Sequence, residues 1–272
     1  MRLGILNVLF DNSEAELAQF YRALDRTRAE TSLELASFIL DNSEHELRHA
    51  VPHTATYSRT GRNEGYTRGC NMLMEQAFSR GCDAVVTMNV DGFPLPGCVS
   101  NLIATQKSSG GDALVEARQF PNEHPRYYDP VTGATDWVSG CCLLITRSTY
   151  ERLGPLDEAM FLYCEDIDYS FRARAAGVPC LVSQKAFFFH RGSAFPFGHL
   201  RRKNMLLSAR YIATKWRNPE SLKMTEELLL EEGFFASANE LPVLPDGAQV
   251  PLDATVRWNA ADRLTFASAR WS

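Results

Sequence analysis

The sequence predicts an α/β fold with a mostly parallel central sheet flanked by helices, followed by a C-terminal helical extension. Three observations carry this. Apolar runs of strand length alternate with segments of helical period through the first third of the chain. The turn octets DNSEAELA and DNSEHELR, thirty residues apart, each follow a strand-like run. Three such runs end in small polar residues, at Asn12, Asp41 and Asp91. Parallel strands joined by helices bring such ends together at the carboxyl edge of the sheet, where ligands of doubly wound folds bind.

Composition sets the outer bounds. The chain has 272 residues, ample for a large core, with 45% hydrophobic and 22% charged residues and a net charge of −5. That balance argues against a nucleic-acid partner. Seven cysteines, an odd number with no Cys-x-x-Cys spacing, read as reduced core thiols of a cytosolic protein. The N-terminus lacks the features of a signal peptide, and no apolar run approaches the ~18 residues of a membrane span.

Taken in order, Leu3 to Phe10 is a strand. A helix then starts at Ser13, which with Glu16 forms a capping box and places Leu17, Phe20, Tyr21 and Leu24 on one face. Leu33 to Leu40 is a second strand, and Ser43 with Glu46 predicts a second capped helix. Tyr66, Cys70, Leu73, Met74 and Ala77 share a face of a third helix stopped at Gly81. The buried strand Asp83 to Met88 then runs into Asn89-Val90-Asp91-Gly92. Capping alone accounts for Ser13 and Ser43, but Asp91 is followed by Gly92-Phe93-Pro94, not by a helix. The stretch His45-Glu46-Leu47-Arg48-His49 fits the H-E-x-x-H pattern of zinc peptidases. Pro52 limits its helix, and Glu46 is already the partner of Ser43, so a solvated helix face is the simpler reading.

The second half carries a strand at Ala113 to Ala117, a polar loop from Phe120 to Thr135, and Trp137-Val138-Ser139-Gly140 leading into a strand at Cys141 to Ile145. Trp137 is either core or a platform for a sugar ring. Arg147 to Leu153 reads as a short helix closed by Gly154-Pro155. The acids Glu165, Asp166 and Asp168 open another helix, in which Asp168 pairs with Arg172 at i,i+4. They either complement the helix N-terminus or, half-buried among Tyr163, Cys164 and Tyr169, tune a proton acceptor. Two short strands, Cys180 to Ser183 and Ala186 to Phe189, end at His190, either a satisfied hydrogen-bonder or a ligand joining Asp91 and Asp166.

From Leu3 to Trp216 the chain resembles the family 2 glycosyltransferases of the GT-A fold, nearest to bacterial rhamnosyltransferase-like members. The ordered set is Asn12, Asp41-Asn42-Ser43, Asn63-Glu64-Gly65-Tyr66 with Gly69-Cys70-Asn71, Asn89-Val90-Asp91, Trp137-Val138-Ser139-Gly140, Gly154-x-Leu156-Asp157-Glu158, Glu165-Asp166-x-Asp168-x-x-x-Arg172 and His190. The resemblance implies an inverting, metal-dependent enzyme that moves a sugar from a nucleoside-diphosphate donor to a hydroxyl of a glycan or lipid-linked acceptor. Asp41 would contact the donor nucleobase, with Asn12, Asn63, Gly69 and Asn89 on the donor side. Asp91 and His190 would hold Mn²⁺ or Mg²⁺ on the diphosphate. Asp166 would be the catalytic base, with Trp137, Gly140 and Glu165 on the acceptor side. It further implies a cytoplasmic bacterial enzyme of polysaccharide biosynthesis and leaves peripheral membrane association open. Asn89 stands where many relatives have Asp, which throws more of the cation onto Asp91 and His190. The alternatives are a catalytically silent sugar-nucleotide-binding domain of the same fold and, remotely, the zinc peptidase.

The expected division is a glycosyltransferase domain over 1–217 and an extension over 218–272. Phe197 to Trp216 reads as a basic helix that closes over a diphosphate or forms a solvated face. A further helix spans Glu220 to Glu232, and Pro242, Pro245, Asp246-Gly247 and Pro251 break the pattern beyond it.

Overall fold

A computed structural model describes residues 1–123, 127–191 and 198–244. The expected breaks at Pro245, Asp246-Gly247 and Pro251 and the helix start at Phe197 lie outside them. Nine strands form one sheet: β1 (Arg2–Leu9), β2 (Glu34–Asp41), β3 (Thr56–Ser58), β4 (Ala84–Met88), β5 (Gly92–Pro94), β6 (Leu114–Phe120), β7 (Ala134–Thr135), β8 (Cys142–Thr146) and β9 (Cys180–His190). The order is β3-β2-β1-β4-β8-β6-β9-β5, with β7 beside β9. Strands β3, β2, β1 and β4 run parallel, as do β6 and β9. Only β8 runs against its neighbours in the body of the sheet, and the short β5 and β7 are antiparallel to β9. The sheet is therefore mostly parallel.

The helices are α1 (Glu14–Glu30), α2 (Tyr66–Ser79), α3 (Cys98–Ser108), α4 (Arg147–Leu153), α5 (Glu165–Ala175), α6 (His199–Lys215) and α7 (Pro219–Glu231). Helix α1 begins as its sequence dictates: the Ser13 hydroxyl accepts from the Glu16 N–H and the Glu16 carboxylate accepts from the Ser13 N–H. Its apolar face packs with Leu3, Ile5 and Ile39 on one side of the sheet, while α2 packs with Leu6, Phe38 and Leu40 on the other. Gly69 is the close-approach residue of α2. A Cβ there would lie 3.0 Å from Val8 and 3.1 Å from Leu40, so only glycine lets the helix sit this near the strands.

Three expectations change. No α-helix follows β2; the segment is irregular, with one 3₁₀ turn at Arg48–Ala50. The Ser43/Glu46 box does not form because Asp41 takes the Ser43 and Leu47 N–H groups (3.0 and 2.8 Å), while the Ser43 hydroxyl accepts from the Asp11 N–H at 2.8 Å. The strand β3 closes this segment instead. Lastly, Cys180 to His190 is one strand, not two; its pairing with β6 slips between Ala117 and Arg118, which absorbs residues 184–186.

A third core cluster holds α6 and α7 against α5 through Ile167, Phe171, Met205, Ile212, Trp216, Leu228 and Leu229. All seven cysteines are buried and free. Among the described residues no helix is long and apolar enough to cross a membrane.

Candidate active site

Three loops at the carboxyl edge of β1 and β2 are tied together. The Asp11 N–H reaches Ser43, Arg59 donates to the carbonyls of Ser43 and Glu44, and Asn42 donates to the Gly65 carbonyl (3.1 Å) while accepting from the Glu64 N–H (3.3 Å). Asp41 anchors this arrangement. Its Oδ2 also accepts from the Tyr57 hydroxyl at 2.5 Å. Burial pushes its carboxyl up, but the bonds from Tyr57, Leu47 and Ser43 outweigh that and hold it below the usual carboxylate range. At 1% exposure, Asp41 presents no open face for the nucleobase contact expected of it; it builds the loop instead. Asn12 accepts from the Phe10 N–H (3.0 Å) and Asn63 from the Gly65 N–H (2.9 Å), both at the open rim. Gly69 lies beneath the sheet surface rather than at the rim, for the packing reason given above.

The second group joins strand ends that are far apart in sequence. Gly92 pairs with His190 across β5 and β9, which brings His190 Nε2 to 3.5 Å from Asp91 Oδ1. The Arg191 N–H donates to the Asp91 carbonyl at 3.1 Å. Burial raises the Asp91 carboxyl, but His190, with help from Arg201 on α6, brings it below its ordinary value. On the far side of the imidazole, Nδ1 lies 2.8 Å from Oε1 of the buried Gln119 on β6. Asn89 is half-buried beside them, its N–H donated to the Cys141 carbonyl at 2.9 Å.

Asp166 forms the third group, in the first turn of α5. The residues that deliver it, Tyr163 and Cys164, have φ of 67° and 68°. Consecutive left-handed conformations at non-glycine residues cost about 1–2 kcal/mol each, and here the strain sits where the chain enters the acidic turn. Asp166 Oδ2 accepts from the Gly140 N–H at 2.8 Å and Oδ1 from the Ile167 N–H at 2.9 Å. Burial still pushes its carboxyl above the ordinary value. Gly140 is held in turn by the Tyr66 and Thr87 hydroxyls on its carbonyl, at 3.0 and 2.6 Å.

Two residues expected on the acceptor side face inward. Glu165 is 4% exposed; burial, then the neighbouring Asp166, pushes its carboxyl well up. Trp137 is 3% exposed within the third core cluster, which favours the packing reading over a sugar platform. Asp168 is also structural. Fully buried, it accepts from Arg172 (3.1 Å), Lys215 (2.8 Å) and the Trp216 indole (2.8 Å).

The second and third groups meet at Cys141. Burial pushes this thiol well up, and the carboxyls of Asp91, Glu116 and Asp166, from three different elements, add to the effect. Asp91 and Asp166 thus both lie close to Cys141, and His190 joins them through Asp91. Sequence reasoning missed Glu116 and Gln119. The available signal was a glutamate inside the apolar run Leu114-Val115-Glu116-Ala117, where a charge needs a reason.

Among the described residues no group of three or more His, Cys, Asp or Glu could hold a metal. The pair Asp91 and His190 nevertheless fits a divalent cation that takes its other ligands from a bound diphosphate. Adjacent ligands of an octahedral cation with bonds of about 2.1 Å lie about 3.0 Å apart, so an oxygen and an imidazole nitrogen at 3.5 Å close on one cation by a shift of about half an ångström. The H-E-x-x-H stretch does not fit one. It is not helical, His45 is exposed, and His49 Nε2 pairs with Glu14 Oε1 at 3.0 Å.

No family model matches the chain. Over 65 residues it is 41% identical to N-acetylglucosaminyl-diphospho-decaprenol L-rhamnosyltransferase of Mycobacterium tuberculosis (strain ATCC 25618 / H37Rv), covering 24% of this chain and 18% of that protein. Over 84 residues it is 33% identical to rhamnosyltransferase WbbL of Escherichia coli (strain K12), covering 29% of this chain and 31% of that protein. The matched stretches thus span less than a third of either relative. Among solved structures, GalNAc-T7 with UDP, GalNAc and Mn²⁺ aligns with 90% of this chain and 58% of its own, at TM-score 0.57 and 12% identity. S. aureus TarS aligns with 85% of this chain and 42% of its own, at TM-score 0.56 and 14% identity. The chain has the GT-A fold and, over about a quarter of its length, is similar in sequence to curated rhamnosyltransferases.

Proposed function

We propose that the chain is an inverting, cation-dependent glycosyltransferase that moves a sugar, of the hexosyl or rhamnosyl class, from a nucleoside-diphosphate sugar to a hydroxyl of a glycan or lipid-linked acceptor. The observation that carries this is the convergence of Asp91, His190 and Asp166 on one sheet edge, with a strained turn delivering the last. The partial similarity to rhamnosyltransferases supports the reaction class, and the Mn²⁺ in the GalNAc-T7 crystals supports the cation.

Each residue then has a task. A bound Mn²⁺ or Mg²⁺ would neutralise charge developing on the departing diphosphate. Asp91 and His190 hold it, and Arg201 brings a further positive charge to the same side. The loops tied by Asp41 and Asn42 seat the nucleoside, with Asn12, Asn63 and Asn89 at their rim. Asp166 accepts the proton of the attacking hydroxyl, because a neutral hydroxyl is a poor nucleophile. Its anchoring N–H bonds fix the carboxylate, and its raised value makes it a better proton acceptor than a solvated aspartate. One base with in-line attack inverts the anomeric configuration. The segment 1–217 would form the catalytic unit, and residues from 218 onward would extend it through α7 on α6.

Nucleotide sugars screened for Mn²⁺-dependent thermal stabilisation test the donor and cation roles, since a ligand that binds only the folded state raises its stability. At least one nucleotide sugar should stabilise the wild type with Mn²⁺ and fail to do so in Asp91→Ala. Metal-independent binding, equal in both proteins, would contradict the cation role.

A further inference from the structure

The reading of Asp91 and His190 as the cation pair leaves a second question, namely what makes His190 a ligand rather than a donor. An imidazole has one lone pair when neutral, and the partner of the opposite nitrogen decides where it points. Nδ1 of His190 faces Oε1 of Gln119 at 2.8 Å, and an amide oxygen can only accept. Nδ1 therefore carries the hydrogen, and the Nε2 lone pair points toward Asp91 Oδ1, 3.5 Å away. A lone pair facing a carboxylate is repulsive unless a proton or a metal cation lies between them.

This assignment depends on which way the Gln119 amide is turned, and Glu116 decides that. Gln119 is 1% exposed and Glu116 is fully buried, both on β6. Glu116 Oε2 accepts from the Ser139 N–H. Its other oxygen, Oε1, and Gln119 Nε2 are both buried without a hydrogen-bond partner. Burial pushes the Glu116 carboxyl well up, and the Ser139 N–H and the Gln119 side chain pull it back, as donors to the ionised form do. The amide is thus turned with its nitrogen toward a carboxylate oxygen, leaving its own oxygen for His190. The chain of contacts also reaches the base, because Ser139 precedes Gly140, whose N–H holds Asp166 at 2.8 Å.

We propose that Glu116 and Gln119 are positioning residues that set the tautomer of His190, turning its Nε2 lone pair toward the cation. The inference rests on the cation reading of Asp91 and His190 but is tested separately from it. Replacing Glu116 by glutamine keeps the shape and reverses the polarity. The new amide oxygen still accepts from Ser139, but its nitrogen demands the Gln119 oxygen. Gln119 then turns its own N–H to His190 Nδ1, and the ring hydrogen moves to Nε2.

Selective ¹⁵N-histidine labelling makes this visible, because the chain has 6 histidines and the His190 signals are identified by their loss in His190→Ala. In metal-free wild type, with the ring neutral, long-range ¹H–¹⁵N spectra should show the hydrogen on Nδ1. In E116Q it should sit on Nε2, and Mn²⁺ affinity by calorimetry should fall about 10–100-fold. Gln119→Leu should lose the fixed tautomer, giving a mixture, with a similar loss of affinity. A wild-type ring protonated on Nε2, or an E116Q protein with both tautomer and Mn²⁺ affinity unchanged, would overturn the proposal. A wild type with the hydrogen on Nδ1 that binds no Mn²⁺ would instead refute the cation reading while upholding the tautomer relay.

Discussion

Asp166 accepts two backbone N–H bonds, which favour its charged form, yet burial lifts its carboxyl above the ordinary aspartate range. A base must be ionised to act. The turnover rate should therefore rise with pH through the raised value, so that the acid limb of a kcat–pH profile lies above the usual carboxylate range. An acid limb at the position of a solvated aspartate would contradict the base assignment. Asp41 runs the opposite way. Its value is lowered on folding, so its contribution to stability is present above the unfolded-state value and is lost as pH falls through the folded one. Asp41→Ala should cost about 1–3 kcal/mol by denaturant unfolding at neutral pH, and less as the pH falls into that window. The pairing of Asp91 with His190 was anticipated from sequence because both close strands. The inward turn of Glu165 was not, and Trp137 stayed open between core and rim, since an acidic pair or a lone tryptophan reads alike in either place.

At the scale of elements, the helix after β2 is the instructive failure. The octets DNSEAELA and DNSEHELR look alike, and the first caps a helix as expected. In the second, the Asp41 carboxylate captures two N–H groups that a helix would have used, and Tyr57 completes it from β3. Local propensity lost to contacts that no local pattern reveals. The basic helix α6 is only in small part a solvated face. Arg202 pairs with Glu232, Arg210 with Glu226, and Lys215 with Asp157 and Asp168, so most of its charge is spent on α7 and α5. Arg201 alone of this group acts on Asp91. The fully buried Asp168 thus fastens α5, and with it the Asp166 turn, to α6. Asp168→Ala should destabilise the protein by about 1–3 kcal/mol, because it leaves the buried Trp216 N–H without its acceptor and Lys215 with Asp157 as its remaining carboxylate. A loss under ~1 kcal/mol in denaturant unfolding would mean that the apolar cluster alone holds these helices.

For the whole molecule, the order β3-β2-β1-β4-β8-β6-β9-β5 puts the proposed donor and acceptor halves on one edge. The first half was legible, because β1, β2 and β4 are apolar runs with polar ends. The second depends on β8 running against its neighbours and on β5 folding back along β9, pairings that link residues distant in sequence. The proposed division of labour gives Asp91 and His190 to the donor and Asp166 to the proton. It is tested most directly by measuring, on the same Asp166→Asn preparation, nucleotide-sugar binding with Mn²⁺ and turnover of that donor. Binding within a few-fold of wild type, with turnover reduced at least a thousandfold, is the predicted result, in line with the loss of a general base and its charge. Equal loss of binding and turnover, or turnover that survives, would contradict it.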